Sequence, residues 1–168
     1  AKGGLRAEDM LYFLDPSLET DDFFENYTMD NSSRDRAEWG AIYTEAIQKA
    51  DLITIGIGAG ASTTVVGKQI QRLQAGKEPF QMDWSSLVGS EAEMAEVQES
   101  VESLAAVLDG QLPEMMGVPS ATLAYVVAES FVYGYASYFK TYPALLDKIH
   151  EINPDAHVVA VGYFNPID

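Results

Sequence analysis

The chain has 168 residues, 47% of them apolar, and a formal net charge of -16; that is length and apolar content enough for one domain, residues 1–168, with its own core. A field of this sign repels phosphate backbones and anionic membrane surfaces, and no basic cluster offsets it, which argues against nucleic acid as a partner. The absence of cysteine excludes disulfides, thiol nucleophiles and cysteine-held zinc, and the composition suits an exported bacterial protein as well as a cytosolic one.

The sequence starts at Ala1 without an initiator methionine or a signal peptide, as expected of a processed or excised product. Residues 4–15 place Leu5, Met10, Leu11, Phe13 and Leu14 at loosely helical spacing and end in an Asp15-Pro16 turn signal, which predicts a short helix. Residues 15–35 are polar and acidic, with Phe23, Phe24 and Tyr27 as anchors, and read as a surface excursion. Ser33 or Asp35 then caps a helix reaching about Ala50, whose face Trp39, Ile42, Tyr43, Ala46 and Ile47 is expected to pack on a sheet. The β-branched run over 51–58 predicts a parallel strand buried on both faces.

After Ser62, the spacing of Val65, Val66, Ile70 and Leu73 supports a short helix, and residues 76–90 show no clear period. Over residues 91–108, Met94, Val97, Val101, Leu104, Ala105 and Leu108 form an amphipathic stripe closed by Asp109-Gly110. Pro119 opens a further helix that is apolar nearly all round and continues as the stripe Leu145, Ile149 and Ile152, with Pro143 as a kink or a break. Its most apolar part, 121–139, carries Glu129 at the middle and is interrupted by glycine and tyrosines, so a buried helix is expected and no membrane span. A turn at Asn153-Pro154-Asp155 leads to a second buried strand over 157–164, joined to the first by a right-handed crossover.

Several smaller patterns have a bland reading beside a chemical one. Gly56, Gly58 and Ala61 fit the three positions of a dinucleotide fingerprint, but residues 71–83 offer no following strand, which favours a close-packed strand-to-helix turn. Gly67-Lys68 lacks the serine or threonine of a phosphate loop. His150 and His157 read as a helix-end and a strand-entry histidine rather than ligands. The acidic set Glu19, Asp21, Asp22, Glu25 and Asp30 does not match calcium-loop spacing and reads as solvated surface. Aromatic residues between Tyr125 and Tyr142 have the spacing of core or interface more than of an acyl or sugar pocket.

Three segments together resemble the GDSL-type (SGNH) esterases and acylhydrolases. They are Gly4-Leu5-Arg6-Ala7-Glu8-Asp9-Met10-Leu11, the run from Ala50-Asp51-Leu52-Ile53-Thr54-Ile55 to Gly58-Ala59, and Ile152-Asn153-Pro154-Asp155-Ala156-His157 with the strand after it. The resemblance implies an α/β fold, a flavodoxin-like three-layer sandwich on a parallel sheet, present here in part. It also implies hydrolysis of small esters, such as acyl chains or acylated carbohydrates, without a cofactor. In that family the oxyanion hole uses the nucleophilic serine's amide, a glycine of the second block and an asparagine of the third. The glycine corresponds to Gly4, whereas the third block reads Gly58-Ala59-Gly60-Ala61 and places Gly60 at the asparagine.

The serine block would fall before Ala1 and the aspartate-histidine block after Asp168, so an excised portion of an enzyme and a scaffold without activity are both open. Loss of one side-chain oxyanion donor alone costs about 3 to 4 kcal/mol of transition-state stabilisation. A non-catalytic binding or assembly module, and a nucleotide-binding α/β protein, are the alternatives. Two strands make a very small sheet, so association through its exposed edge, as a homo-oligomer, is expected.

Overall fold

The computed structural model describes residues 5–19, 35–56, 58–112 and 118–161, with 58–62 as backbone alone. In order these form α1 (Ala7–Leu14), α2 (Arg36–Gln48), β1 (Leu52–Ile55), α3 (Gly58–Gln74), a 3-10 turn (Trp84–Ser86), α4 (Glu91–Leu108), α5 (Ser120–Ile152) and β2 (His157–Ala160). The described residues are therefore mostly helical, with one small parallel sheet of β1 and β2 among them. Its contacts divide it into two compact units, residues 1–61 with 138–168, and residues 62–137. The excursion expected over 15–35 lies largely outside the described residues.

In the first unit, Asp35 opens α2 as a capping box. Its carboxylate accepts from the Glu38 amide at 2.9 Å, and the Glu38 carboxylate accepts from the Asp35 amide at 3.1 Å, satisfying two of the donors a helix start leaves over. Arg36 then donates to the Tyr12 and Asp15 carbonyls, closing the end of α1 with a side chain from the start of α2. The two helices meet at Gly40, where a Cβ would stand 2.5 Å from the Phe13 carbonyl oxygen. The Phe13 ring lies 5.8 Å from Tyr43 and 6.3 Å from Trp39. Much of the face expected to pack on the sheet thus serves α1 instead: Ile47 is buried, while Ile42 is 40% exposed and Ala46 is exposed.

The core of this unit joins Ala7, Leu14, Ile47, Ile55, Leu145 and Ile149, with Tyr43, Ile53, Tyr138, Tyr142 and Val158 packed against it. The strands pair in the register Leu52 with His157 through Ile55 with Ala160. Ile53, Ile55 and Val158 turn to the core, while Leu52 at 58%, Val159 at 47% and Val161 at 55% are exposed, as are Thr54 and His157. The expectation of strands buried on both faces is overturned. Each strand has four residues, the described helices cover one face, and Gly58, expected at the strand end, belongs to α3.

Asn153 ties the pair together. Its Nδ2 donates to the Ile47 carbonyl at 2.8 Å and to the Ala50 carbonyl at 3.0 Å, and its Oδ1 accepts from the Asp155 amide at 3.2 Å. The end of α2 and the approach to β1 are thereby fixed to the turn that starts β2.

The second unit uses the same device on a loop. Gln69, 1% exposed, exchanges two hydrogen bonds with the Phe80 backbone, at 2.8 and 2.7 Å, and Arg72 lies over the Phe80 ring. Ser90 caps α4, which occupies the expected residues, and Gly110 follows it at φ +75°, the left-handed conformation that favours glycine. Val65, Val101, Leu123, Ala124, Val126 and Ala128 are buried here. Residues 120–152 form a single helix with Pro143 inside it. Loss of a helical N–H at proline costs about 3 kcal/mol, and the buried Leu145 and Ile149 that follow are the packing that offsets it.

Two substitutions check this packing by urea unfolding. Asn153→Ala, which takes the side-chain donor from the Ala50 carbonyl and leaves the Ile47 carbonyl with the Ala50 amide at 3.2 Å, is expected to destabilise by about 1 to 3 kcal/mol. Gly40→Ala is expected to destabilise even though alanine is favoured over glycine inside a helix by about 1 kcal/mol, because the added Cβ meets the Phe13 carbonyl; an increase in stability would contradict that close approach.

Candidate functional site

The described geometry that can serve a ligand begins where β1 ends. Ile55 is the last strand residue and is buried, Gly56 follows it, and α3 starts at Gly58. A Cβ at Gly56 would meet nothing within 4 Å among the described residues, so packing against them does not demand glycine there. Residues 58–61 form the first turn of α3, where backbone N–H groups have no intrahelical acceptor and the helix dipole favours negative charge. Gly60, the position matching the family's asparagine, is in this turn. It contributes an amide and no side-chain donor.

Gly4, the other position that the resemblance assigns to an oxyanion hole, lies outside the described residues. The segment after it is built around a buried ion pair that the apolar spacing did not reveal. Arg6 is 2% and Asp9 0% exposed. The Asp9 carboxylate accepts from the Arg6 amide at 2.9 Å and from its guanidinium at 2.7 and 3.2 Å. All three bonds run from Arg6 to Asp9, so the acid three residues into the helix start closes the Arg6 amide, while the guanidinium pairs with the same carboxylate. Ala7, directly after Arg6, shares the core with Ile55, so the start of α1 and the end of β1 are both anchored in one packed cluster.

Neither histidine is brought to these elements as part of an acid-base set among the described residues. His150 is exposed on α5, and His157 is exposed at the start of β2 with its amide donating to the Asp51 carbonyl at 2.9 Å, which fits the helix-end and strand-entry roles. Among the described residues no serine is hydrogen-bonded to either histidine; Ser130, for example, is buried and donates to the Val126 carbonyl at 2.6 Å. No group of three or more histidine, aspartate or glutamate residues is placed to hold a metal ion among the described residues. Most of the acidic set between Glu19 and Asp30 lies outside them. For the dinucleotide pattern, residues 75–112 after α3 contain a 3-10 turn and α4 but no strand, so the unit such a fingerprint needs is not formed there.

The aromatic run divides between packing and exposure. Tyr138 and Tyr142, with ring centroids 5.0 Å apart, pack on the first unit's core, and Tyr133 meets Trp84 edge-on at 5.1 Å in the second. Tyr125, Phe131, Tyr135 and Phe139 are between 38% and 59% exposed. On the same helix, Glu129 is half-buried. Desolvation raises its carboxyl above the usual glutamate range, and a hydrogen bond from Trp84 partly opposes the shift. Tyr125 is likewise raised, by burial and by Glu129 and Glu102.

Comparison with protein-family models, with curated proteins and with solved structures finds no match. Among the described residues, no helix is long and apolar enough to cross a membrane.

The shift at Glu129 carries a sign. A carboxyl whose folded pKa is raised favours folding below its unfolded pKa and loses that contribution as pH rises through the folded value. Glu129→Gln, which removes the charge and keeps an acceptor for Trp84, is therefore expected to melt at a higher temperature than the parent at pH 7 to 8. The difference should shrink as pH falls into the ordinary glutamate range; an advantage independent of pH would contradict this assignment.

Proposed function

We propose that the chain is the central portion of a GDSL-type ester hydrolase scaffold, a three-layer α/β sandwich of which β1 and β2 are two neighbouring strands. The observation that carries the reading is the pairing of two segments chosen by their resemblance. The run after Ala50 and the run after the Asn153-Pro154 turn, more than 100 residues apart in sequence, are adjacent parallel strands, joined by the asparagine of that turn. The first leads within three residues into a helix start, the location where α/β folds bind ligands.

In this reading the amides of residues 58–61 face the acyl group of a small ester or acylated carbohydrate, and Gly4 supplies a further amide. The site binds an oxyanion through backbone alone. With glycine at position 60 it lacks one donor, worth about 3 to 4 kcal/mol in transition-state stabilisation, and the serine and the histidine-aspartate pair are not recognisable in the chain. The expected result is ester-analogue binding without turnover.

Two measurements test this. Titration with a short-chain alkylphosphonate, a tetrahedral anion, should move the amide NMR signals of residues 58–61; unmoved signals at saturating ligand would remove the ester-site reading. Purified chain should neither hydrolyse short-chain p-nitrophenyl esters nor take a covalent label from a serine-directed phosphonate. Labelling accompanied by turnover would show that a serine of this chain acts as nucleophile and that the chain is itself an enzyme.

A further inference from the structure

The parallel ladder uses alternate residues of β1. The His157 amide donates to the Asp51 carbonyl and the Val161 amide to the Ile55 carbonyl, so Ile53 and Ile55 direct their backbone groups toward β2. Leu52 and Thr54 direct theirs to the opposite side. On that side no strand pairs with them among the described residues, and both side chains are exposed. Apart from its shortness, β1 carries none of the sequence features that ordinarily block strand addition: it has no lysine, no proline and no charged side chain.

We propose that this edge binds a second copy of the chain, the two β1 strands pairing antiparallel about a two-fold axis at Ile53. With Ile53 opposite Ile53, Leu52 of one copy stands opposite Thr54 of the other, and each such pair exchanges both of its N–H···O bonds. The outward-facing backbone groups of β1 are thus their own complement. Faces are matched as well, since Leu52 and Thr54 stay on the exposed face and Ile53 on the core face, whereas a one-residue slip would mix the two.

Charge permits this contact. The chain as a whole is at -16, but the strand is neutral, and in this register the two Asp51 residues stand about 13 Å apart along the strands, beyond the roughly 8 Å Debye length at physiological salt. An oppositely charged partner has nothing to recognise on β1. Burial also selects β1 over β2: Ile55 is buried, while β2 is exposed at three of four positions. The dimer puts the better-covered strand in the middle of a four-stranded sheet, above the size at which sheets are marginal.

Sedimentation equilibrium of the full chain, from about 1 µM to about 1 mM to span the affinities of small interfaces, tests this. The expected result is a monomer-dimer equilibrium that tightens as salt rises from about 0.01 M to about 0.15 M, because the copies repel. Thr54→Pro removes an outward N–H without touching the β1·β2 ladder and should weaken the dimer at least about tenfold. Leu52→Lys should do likewise with every backbone group retained, which covers the case of a proline variant that does not fold. Val159→Lys, on β2, should leave the constant unchanged. Monomer mass throughout, a dimer that survives Leu52→Lys in a folded chain, or equal weakening by Val159→Lys would each overturn the edge pairing.

Discussion

The first unit depends on one carboxamide. Asn153 donates to the carbonyls of Ile47 and Ala50 at the end of α2, where a helix leaves carbonyls without their i+4 donors, and it holds the chain reversal before β2 through Asp155. β1 starts just after Ala50 and β2 just after this turn, so the side chain that satisfies the α2 end also sets which residues of the strands face one another. A two-stranded sheet has little cooperativity of its own, and this bond, with Leu145 and Ile149 packed beneath it, is what fixes its register. The end of β1 and the first turn of α3 inherit their position from it.

How much of this was legible depended on the range of the interaction. Helix α4 was readable to its ends, because its stripe, its Ser90 cap and the glycine after it are local. For α2 the sequence offered Ser33 or Asp35 as the cap, and the structure has Asp35, completed as a capping box by Glu38. The packing of α2 on α1 was not readable, since it turns on Gly40, whose close approach to Phe13 leaves no trace in apolar periodicity. The strands were recognised and their environment misjudged: an apolar β-branched run announces a strand, but whether both faces are covered depends on how many layers surround it. Pro143 was expected to kink or divide its helix, and it does not divide it, because the buried residues that follow outweigh a local preference.

The candidate site was legible only through resemblance. Gly60 falls in the first turn of α3 and Gly4 outside the described residues, and neither position would be singled out by composition or spacing. The buried Arg6-Asp9 pair has no signature in apolar spacing, and arginine, which only donates, is not a residue that announces a helix cap. Such a pair is costly to break, since removing one partner leaves an uncompensated buried charge, and its place beside the shared core of α1 and β1 suits a rigid support for the strand end. The bare sheet face, by contrast, is apolar surface that a parallel sheet ordinarily covers.

Amide hydrogen exchange at His157 and Val161, followed in the parent and in Asn153→Ala, is the most direct measurement. Paired as parallel strands in this register, both amides are protected in the parent, through the Asp51 and Ile55 carbonyls, and both lose protection together when Asn153 is removed, while the amides of α4 retain theirs. Rapid exchange at His157 and Val161 in the parent, or protection there that is indifferent to Asn153, would contradict a strand pair set by that side chain.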